Sequence, residues 1–137
     1  MKLLGIDYGS KRIGIAISDP LGIAAHPITI IQRKSLKADM ESINRLITEN
    51  SVSKIVMGLP INMDGTEGSL TSEIKSFAQK ITEATKLPVD FHDERLTSSQ
   101  TERILVDEAD VSRNKRKDIR DKVAASIMLQ SYLDTHK

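Results

Sequence analysis

The chain has 137 residues, a formal net charge of +1 and no cysteine, and 39% of its residues are hydrophobic. This length favours a single domain over residues 1–137, with one sizeable core. The lack of cysteine excludes disulfides, thiol catalysis and thiolate metal sites, and it fits a reducing cytoplasm. The sequence has no signal-peptide pattern, and no apolar run approaches the roughly 20 residues of a membrane helix. We therefore expect a cytoplasmic protein that does not enter membranes.

Positive charge is concentrated in residues 112–122, SRNKRKDIRDK, which hold six bases and two acids. A basic patch on a nearly neutral chain is typical of a surface that binds phosphate groups, although a solvated helix face has a similar composition. Aromatic residues make up only 3% of the chain, so base stacking cannot be a major binding device. Any nucleic acid would therefore be held mainly by its backbone, and the candidate contacts, each of which could equally be a solvated surface cation, are Lys11, Arg12, Arg95, Arg113, Lys115, Arg116 and Lys117.

Apolar spacing predicts the element order β-β-β-α-β-α-β-α-α. The predicted strands cover residues 2–7, 13–18, 23–32, 54–59 and 88–92, and the predicted helices cover 36–50, 70–81, a segment that starts at a capping box at 97–100, and about 117–134. This order indicates an α/β fold, with a mixed five-stranded sheet and helices on both faces. Pro27 favours an edge position for the third strand, where a missing N–H does no harm.

Acidic residues occupy unusual places in this pattern. Asp7 ends the first strand, and Asp93 and Glu94 directly follow the last one. Asp121 continues the helical stripe of Ala124, Ala125, Met128 and Tyr132, so it is expected to point toward the sheet. Ligand sites in open α/β sheets gather at the carboxyl ends of strands. We therefore expect these acids to converge at one end of the sheet.

Clustered carboxylates repel one another unless a cation lies between them. Oxygen ligands without cysteine suit a hard ion such as Mg²⁺ or Mn²⁺, and two such ions can catalyse phosphodiester hydrolysis. The predicted metal ligands are Asp7, Asp93, Glu94 and Asp121. Taken singly, each acid has a plainer interpretation as a turn residue, a helix-terminal acid or a surface ion-pair partner.

Two further segments have open interpretations. Residues 58–69 form a loop with three glycines before a helix, which suits a phosphate cradle that includes Asn62, or simply a long turn. It lacks the lysine of a Walker A loop. His92 lies beside the acids and could orient them, although a structural histidine is the commoner case.

Four blocks of the sequence, GIDYGSKRIGIAISD, GLPINMDGTEG, HDERLTS and DKVAASIMLQSYL, resemble the YqgF (RuvX) family over essentially the whole chain. That resemblance implies a ribonuclease-H-like fold, and a nuclease that is Holliday-junction-resolvase-like or matures the 5′ end of the precursor of 16S rRNA. It implies Asp7, Glu94 and Asp121 as catalytic metal-binding acids, and residues 58–68 and 113–117 as nucleic-acid-binding elements. Strand alternation places Asp93 and Glu94 on opposite faces without telling which face is active, and the family pattern favours Glu94.

Three functions follow as hypotheses. The first is a Mg²⁺- or Mn²⁺-dependent endonuclease in ribosome biogenesis, or a resolvase of branched DNA, that leaves a 3′-hydroxyl and a 5′-phosphate. The second is a non-catalytic nucleic-acid-binding module, against which the intact set of acids argues. The third is a sugar-kinase or actin-like ATPase, because the stretch Asp7-Tyr8-Gly9-Ser10 also resembles the phosphate loop of that superfamily. Such ATPases close two lobes over ATP, whereas this chain has one lobe, so this hypothesis needs a dimer that supplies the other half. As a nuclease, the chain is expected to be a monomer or a homodimer.

Overall fold

The structure is a computed structural model that describes residues 1–60, 65, 68–94 and 113–136, and in its last helix it describes side chains from Val123 onward. The strands are β1 (Lys2–Tyr8), β2 (Arg12–Ser18), β3 (Ala25–Gln32), β4 (Val52–Leu59) and β5 (Val89–Asp93), and the helices are α1 (Leu36–Asn50), α2 (Ser69–Thr85) and α3 (Arg113–Thr135). The predicted order is confirmed for these elements. The last helix begins at Arg113 rather than near residue 117, and the helix predicted from residues 97–100 lies outside the described residues.

The strands form one mixed sheet in the order β3-β2-β1-β4-β5. β2 runs antiparallel to β1 and β3, whereas β4 is parallel to both β1 and β5. The carboxyl ends of β1, β4 and β5 therefore lie at the same edge of the sheet, which is where ligand sites of open α/β sheets occur. β3 is the outermost strand on one side of this described sheet, as Pro27 predicted.

The two faces of the sheet are covered by different helices because side chains alternate along each strand. Leu4 and Ile6 of β1 belong to a core cluster with residues of α1 and α2, such as Ile43 and Ile74. The opposite face packs against α3 through Leu3, Ala16, Val56, Ala125, Met128, Leu129 and Tyr132. Each large apolar side chain buried in this way contributes about 1.5–3 kcal/mol to stability.

Gly5 brings α3 close to the centre of the sheet. A Cβ atom at this position would lie 3.0 Å from Leu129 Cβ and 3.4 Å from the Ala125 carbonyl oxygen. Because glycine has no side chain, the helix packs directly on the β1 backbone, two residues before Asp7 and on the same face. In the described part of the chain, no helix is long and apolar enough to cross a membrane.

Candidate active site

The carboxylates of Asp7 and Glu94 meet at the carboxyl edge of the sheet. Asp7 is the second-last residue of β1. Glu94 directly follows β5, which lies two strands away from β1 in the sheet. Both side chains are half-buried, and protonated Glu94 donates a hydrogen bond to the Asp7 carboxylate. The predicted convergence of acids is thus realised for this pair, on the face of the sheet that α3 covers.

The environment of Glu94 disfavours its ionised form. Burial, the charge of Asp7, the hydrogen bond to Asp7 and the charge of Asp93 together raise the pKa of Glu94 to about 7. A carboxyl group with this pKa retains a proton in neutral solution for much of the time. When two acids share a proton in this way, a bound cation can replace that proton.

Gly58 provides the space that the Glu94 side chain occupies. A Cβ atom at position 58 would overlap Glu94 Oε1 and would lie 3.1 Å from both Cγ and Cδ of Glu94. Any side chain there would push the carboxylate away from its place beside Asp7. Sequence reasoning treated this glycine only as part of the loop at 58–69, because nothing local connects it with a residue so far along the chain.

The register separates Asp93 from this site. Asp93 pairs with Leu59 in the ladder and shares a face with Val89 and Phe91, which pack on the core of α1 and α2. His92 and Glu94 alternate onto the α3 face, the face of Asp7. The geometry therefore favours Glu94 over Asp93 as the second acid, and a metal-binding role for Asp93 stays a prediction.

His92 has a structural role. It is buried, and its Nε2 atom lies 3.0 Å from the hydroxyl oxygen of Ser131 in α3. Burial, followed by the positive charge of His136, lowers the pKa of His92 despite the opposing charges of Asp93 and Asp90. The neutral ring therefore joins β5 to α3 and does not contribute charge to the carboxylate pair.

The third predicted acid is on α3. Asp121 belongs to this helix one turn before Ala125, but its side chain lies outside the described part. The stripe that it was predicted to continue is confirmed at Ala125, Met128 and Tyr132, which are buried against the sheet, and Ala124 is half-buried. The position of the Asp121 carboxyl group stays a prediction.

Most predicted nucleic-acid contacts also fall outside the described side chains. These residues are Asn62, Arg95, Arg113, Lys115, Arg116 and Lys117. Lys11 and Arg12 are described, and with Asp7, Gly9 and Ser10 they line a pocket of about 270 Å³ at the turn between β1 and β2. Gly9 keeps this turn tight, because a Cβ atom there would lie 2.5 Å from the Arg12 carbonyl oxygen. The structure thus brings two of the predicted cations next to one of the predicted acids.

Arg33 holds the turn after Asp7 from the opposite face. Its Nη1 atom donates to the Tyr8 hydroxyl at 2.9 Å and to the Gly9 carbonyl at 3.3 Å, and its Nε donates to Asp39 at 3.1 Å. Asp39 is buried, and the guanidinium carbon lies 4.8 Å from the centre of the Tyr8 ring. Sequence reasoning did not identify Arg33, since no spacing pattern connects it with the first strand.

The donor chemistry of the carboxylate pair fits a hard divalent cation. Asp7 and Glu94 present carboxylate oxygens, and such oxygens are the ligands that Mg²⁺ and Mn²⁺ prefer. Among the described side chains, no group of three or more His, Asp or Glu residues is arranged around one point. A complete site would therefore also need a ligand from outside those side chains, and Asp121 is in a suitable element.

Comparison with known proteins identifies related sequences over almost the whole chain. The profile of the RuvX family, described as "Holliday junction resolvase", matches residues 1–135. A Syntrophomonas wolfei protein named "Putative pre-16S rRNA nuclease" is 52% identical over 134 residues, which cover 98% of this chain and 94% of that protein. A protein of the same name from Streptococcus thermophilus is 48% identical over 136 residues, which cover 98% of each.

A solved structure shares the architecture despite low sequence identity. Thermus thermophilus RuvC, solved in complex with a Holliday junction substrate, superposes with a TM-score of 0.63 at 9% identity, covering 99% of this chain and 97% of that one. This likeness confirms the predicted ribonuclease-H-like fold. Together with the profile match and the relatives about half identical in sequence, it shows that the chain belongs to the RuvX family.

Proposed function

We propose that this protein is a metal-dependent endonuclease that hydrolyses phosphodiester bonds in structured nucleic acid. Its proposed substrate is the 5′ region of the precursor of 16S rRNA, in the cytoplasm. The observation that carries the proposal is the half-buried pairing of Asp7 with Glu94 at the carboxyl edge of the sheet. Membership of the RuvX family and relatives named as nucleases of this precursor support the same function.

Asp7 and Glu94 would hold the metal ion, and Asp121 would supply a further carboxylate from α3. A bound Mg²⁺ or Mn²⁺ would activate a water molecule and stabilise charge on the leaving oxygen. The fold fixes the two acids independently of one another. The tight turn at Gly9 and the hydrogen bonds of Arg33 to Tyr8 and Gly9 hold the end of β1 beside Asp7, whereas Gly58 leaves room for Glu94.

Lys11 and Arg12 would bind the substrate backbone beside the acids. Both line the pocket that Asp7 also lines, so a phosphate bound by them would lie close to the carboxylate pair. Contacts of this kind set the position of a nucleic acid but do not read its sequence. Selection of the cleaved bond would therefore depend on the shape of the substrate and on contacts beyond these two cations.

A branched DNA is the second candidate substrate. The family profile is described as that of a Holliday junction resolvase, and the RuvC structure of the same fold was solved with a junction. A direct comparison should therefore use a precursor rRNA fragment and a four-way DNA junction, each end-labelled, with Mg²⁺, with Mn²⁺ or with EDTA. We expect cleavage that needs a divalent ion and that is faster on the RNA.

The matched variants for this assay are Asp7→Asn and Asp134→Asn. Both remove one carboxylate, but Asp134 is exposed near the far end of α3. Loss of the ion-binding carboxylate should lower the cleavage rate by at least about 100-fold, whereas Asp134→Asn should cleave like the wild type. Equal cleavage by Asp7→Asn and the wild type would refute the proposal. Faster cleavage of the junction than of the RNA would replace precursor rRNA with branched DNA as the substrate.

A further inference from the structure

One row of residues across the antiparallel half of the sheet belongs to neither core cluster of the described side chains. Asp7 pairs with Gly14, and Gly14 pairs with Ile30, so the three positions are consecutive across β1, β2 and β3. The neighbouring row, in which Gly5 pairs with Ala16, is covered by α3 through Leu129. The row that starts at Asp7 instead lines the open pocket of about 270 Å³.

Ile30 is an apolar side chain that the described core does not use. It is half-buried, yet it packs with neither of the two core clusters, unlike its neighbour Ile31. Alternation turns Ile31 toward α1 and α2 and places Ile30 on the face that contains Asp7. A half-buried apolar group beside an acid and two cations is typical of a ligand pocket that combines apolar walls with a few polar anchors.

Gly14 lies between Asp7 and Ile30 in this pocket. It is itself buried and lines the pocket, and the strands of Asp7 and Ile30 are two strand spacings, or about 10 Å, apart. The cations Lys11 and Arg12 stand at the turn that closes one end. The charged residues of the pocket suit a phosphate, whereas its apolar wall suits the sugar and base attached to that phosphate.

We propose that Gly14 and Ile30 form a subsite for the sugar and base of a nucleotide next to the cleaved bond. This inference rests on the proposed nuclease function and adds to it a contact that depends on the base. Lys11 and Arg12 would hold the adjoining phosphate, Gly14 would admit the sugar, and Ile30 would pack against the base. The subsite accepts any base, since it offers apolar contact and no base-specific hydrogen bond.

The test uses the intact protein and a precursor rRNA whose cleaved bond has first been mapped. Abasic nucleotides are then placed on either side of that bond, and kcat/KM is measured for the wild type, Ile30→Ala and Gly14→Val. Thr29→Ala is the matched control, because Thr29 is the exposed neighbour of Ile30 and pairs with Ile15 of the opposite face. Thermal unfolding by circular dichroism establishes that each variant is folded.

For the wild type and Thr29→Ala, one of the two abasic substitutions should lower kcat/KM about tenfold, since the apolar contact between Ile30 and the base is lost. In Ile30→Ala the same substitution should cost less than about twofold, because that contact is already missing. Gly14→Val should cleave the intact RNA poorly and gain from the abasic substitution. If Gly14→Val does not fold, Ile30→Ala decides the question alone.

Two results would overturn the subsite while leaving the nuclease function intact. One is a wild type that is indifferent to both abasic positions, and the other is an Ile30→Ala variant that discriminates as the wild type does. A wild type that cleaves neither RNA nor junction with any divalent ion would refute the nuclease function, and the subsite with it.

Discussion

Two acids at opposite ends of β5, both on the face that α3 covers, have opposite environments. Asp90 lies near the start of the strand, and Glu94 follows its end. Asp90 Oδ2 accepts a hydrogen bond of 2.7 Å from Tyr132, and it lies 3.6 Å from the ammonium nitrogen of Lys54. Glu94, two residues beyond His92, lies beside the carboxylate of Asp7.

The pKa values of these acids move in opposite directions. Burial raises the pKa of Asp90, but the hydrogen bonds from Tyr132 and from the Phe91 amide, together with the charge of Lys54, outweigh it and lower the pKa. For Glu94, burial and the nearby charges of Asp7 and Asp93 all raise the pKa. Asp90 is therefore compensated within the fold, whereas Glu94 is kept where its charge is costly.

This difference supports the proposed role of Glu94 in a site, whereas Asp90 has partners that stabilise it within the fold. A carboxylate held at a cost to stability, at the edge of the sheet where ligands bind, is the pattern expected of a functional residue. The comparison predicts that changes at the two ends of β5 have distinct consequences: activity at Glu94, and stability at Asp90 and its partners.

The largest effect is expected from removal of the Glu94 carboxylate. Glu94→Gln should lower the cleavage rate by at least about 100-fold, because the amide removes one of the proposed ionic ligands of the metal. Asp90→Asn is the matched control, because Asp90 lies near the other end of β5 and on the same face of the sheet. This variant should keep activity within a few-fold of the wild type. Comparable losses of activity in the two variants would contradict the separate roles assigned to Glu94 and Asp90.

A smaller loss of activity is expected when Gly58 gains a side chain. In Gly58→Ala the new methyl group would displace the Glu94 carboxylate, and activity should fall about 10- to 100-fold, as for other residues that orient metal ligands. Ser53→Thr serves as the control, because it adds one methyl group at an exposed position near the start of the same strand. Gly58→Ala should also weaken Mn²⁺ binding, which a purely structural defect far from the acids would not do.

The stability of the metal-free protein should also report on Glu94. Its folded pKa of about 7 lies above the ordinary value of 4.5, so the folded state binds the proton more tightly than the unfolded state. The resulting stabilisation is complete below about pH 4.5 and is lost as the pH rises through 7. This change amounts to roughly 3 kcal/mol at most.

Glu94→Gln should remove that pH dependence. In urea unfolding with EDTA, the variant should gain stability relative to the wild type between pH 5 and pH 8. Asp90→Asn should lose stability relative to the wild type over its own titration range, since the lowered pKa of Asp90 stabilises the fold above that range. A parallel response of the two variants would contradict the assigned environments.

The smallest effect is expected at the hydroxyl of Tyr132. This group accepts a hydrogen bond of 2.8 Å from Lys54 and donates one to Asp90, so Tyr132→Phe should cost about 1–3 kcal/mol of unfolding free energy. The rate of cleavage should not change, because this cluster lies at the opposite end of β5 from Glu94. A loss of cleavage activity in Tyr132→Phe would contradict the separation of this cluster from Glu94.

The sequence was sufficient to predict which acids could meet. Apolar runs placed Asp7 and the pair Asp93–Glu94 at strand ends, and the element order implied parallel strands that share one edge. It was not sufficient to choose between Asp93 and Glu94 without the family pattern. The choice depends on which side chains of β5 point toward α3. This orientation is determined by packing and cannot be read from the local sequence pattern.

The supporting residues were hidden for a related reason. Gly58 matters through one contact with Glu94, and Arg33 through hydrogen bonds to the turn after β1. Both contacts join segments that are far apart in sequence, and neither follows a helical or strand period. Ile30 likewise has the sequence pattern of an ordinary strand residue, and its position outside the two core clusters of the described side chains is visible only once both faces are assembled.

The most direct test of the account is Mn²⁺ binding measured by calorimetry at pH 6 and pH 8. We predict that the wild type and Asp90→Asn bind the ion more tightly at pH 8, when Glu94 has lost its proton, and that Asp7→Asn and Glu94→Gln bind it at least about tenfold more weakly. Equal Mn²⁺ affinity in all four proteins would contradict the claim that Asp7 and Glu94 form a cation site.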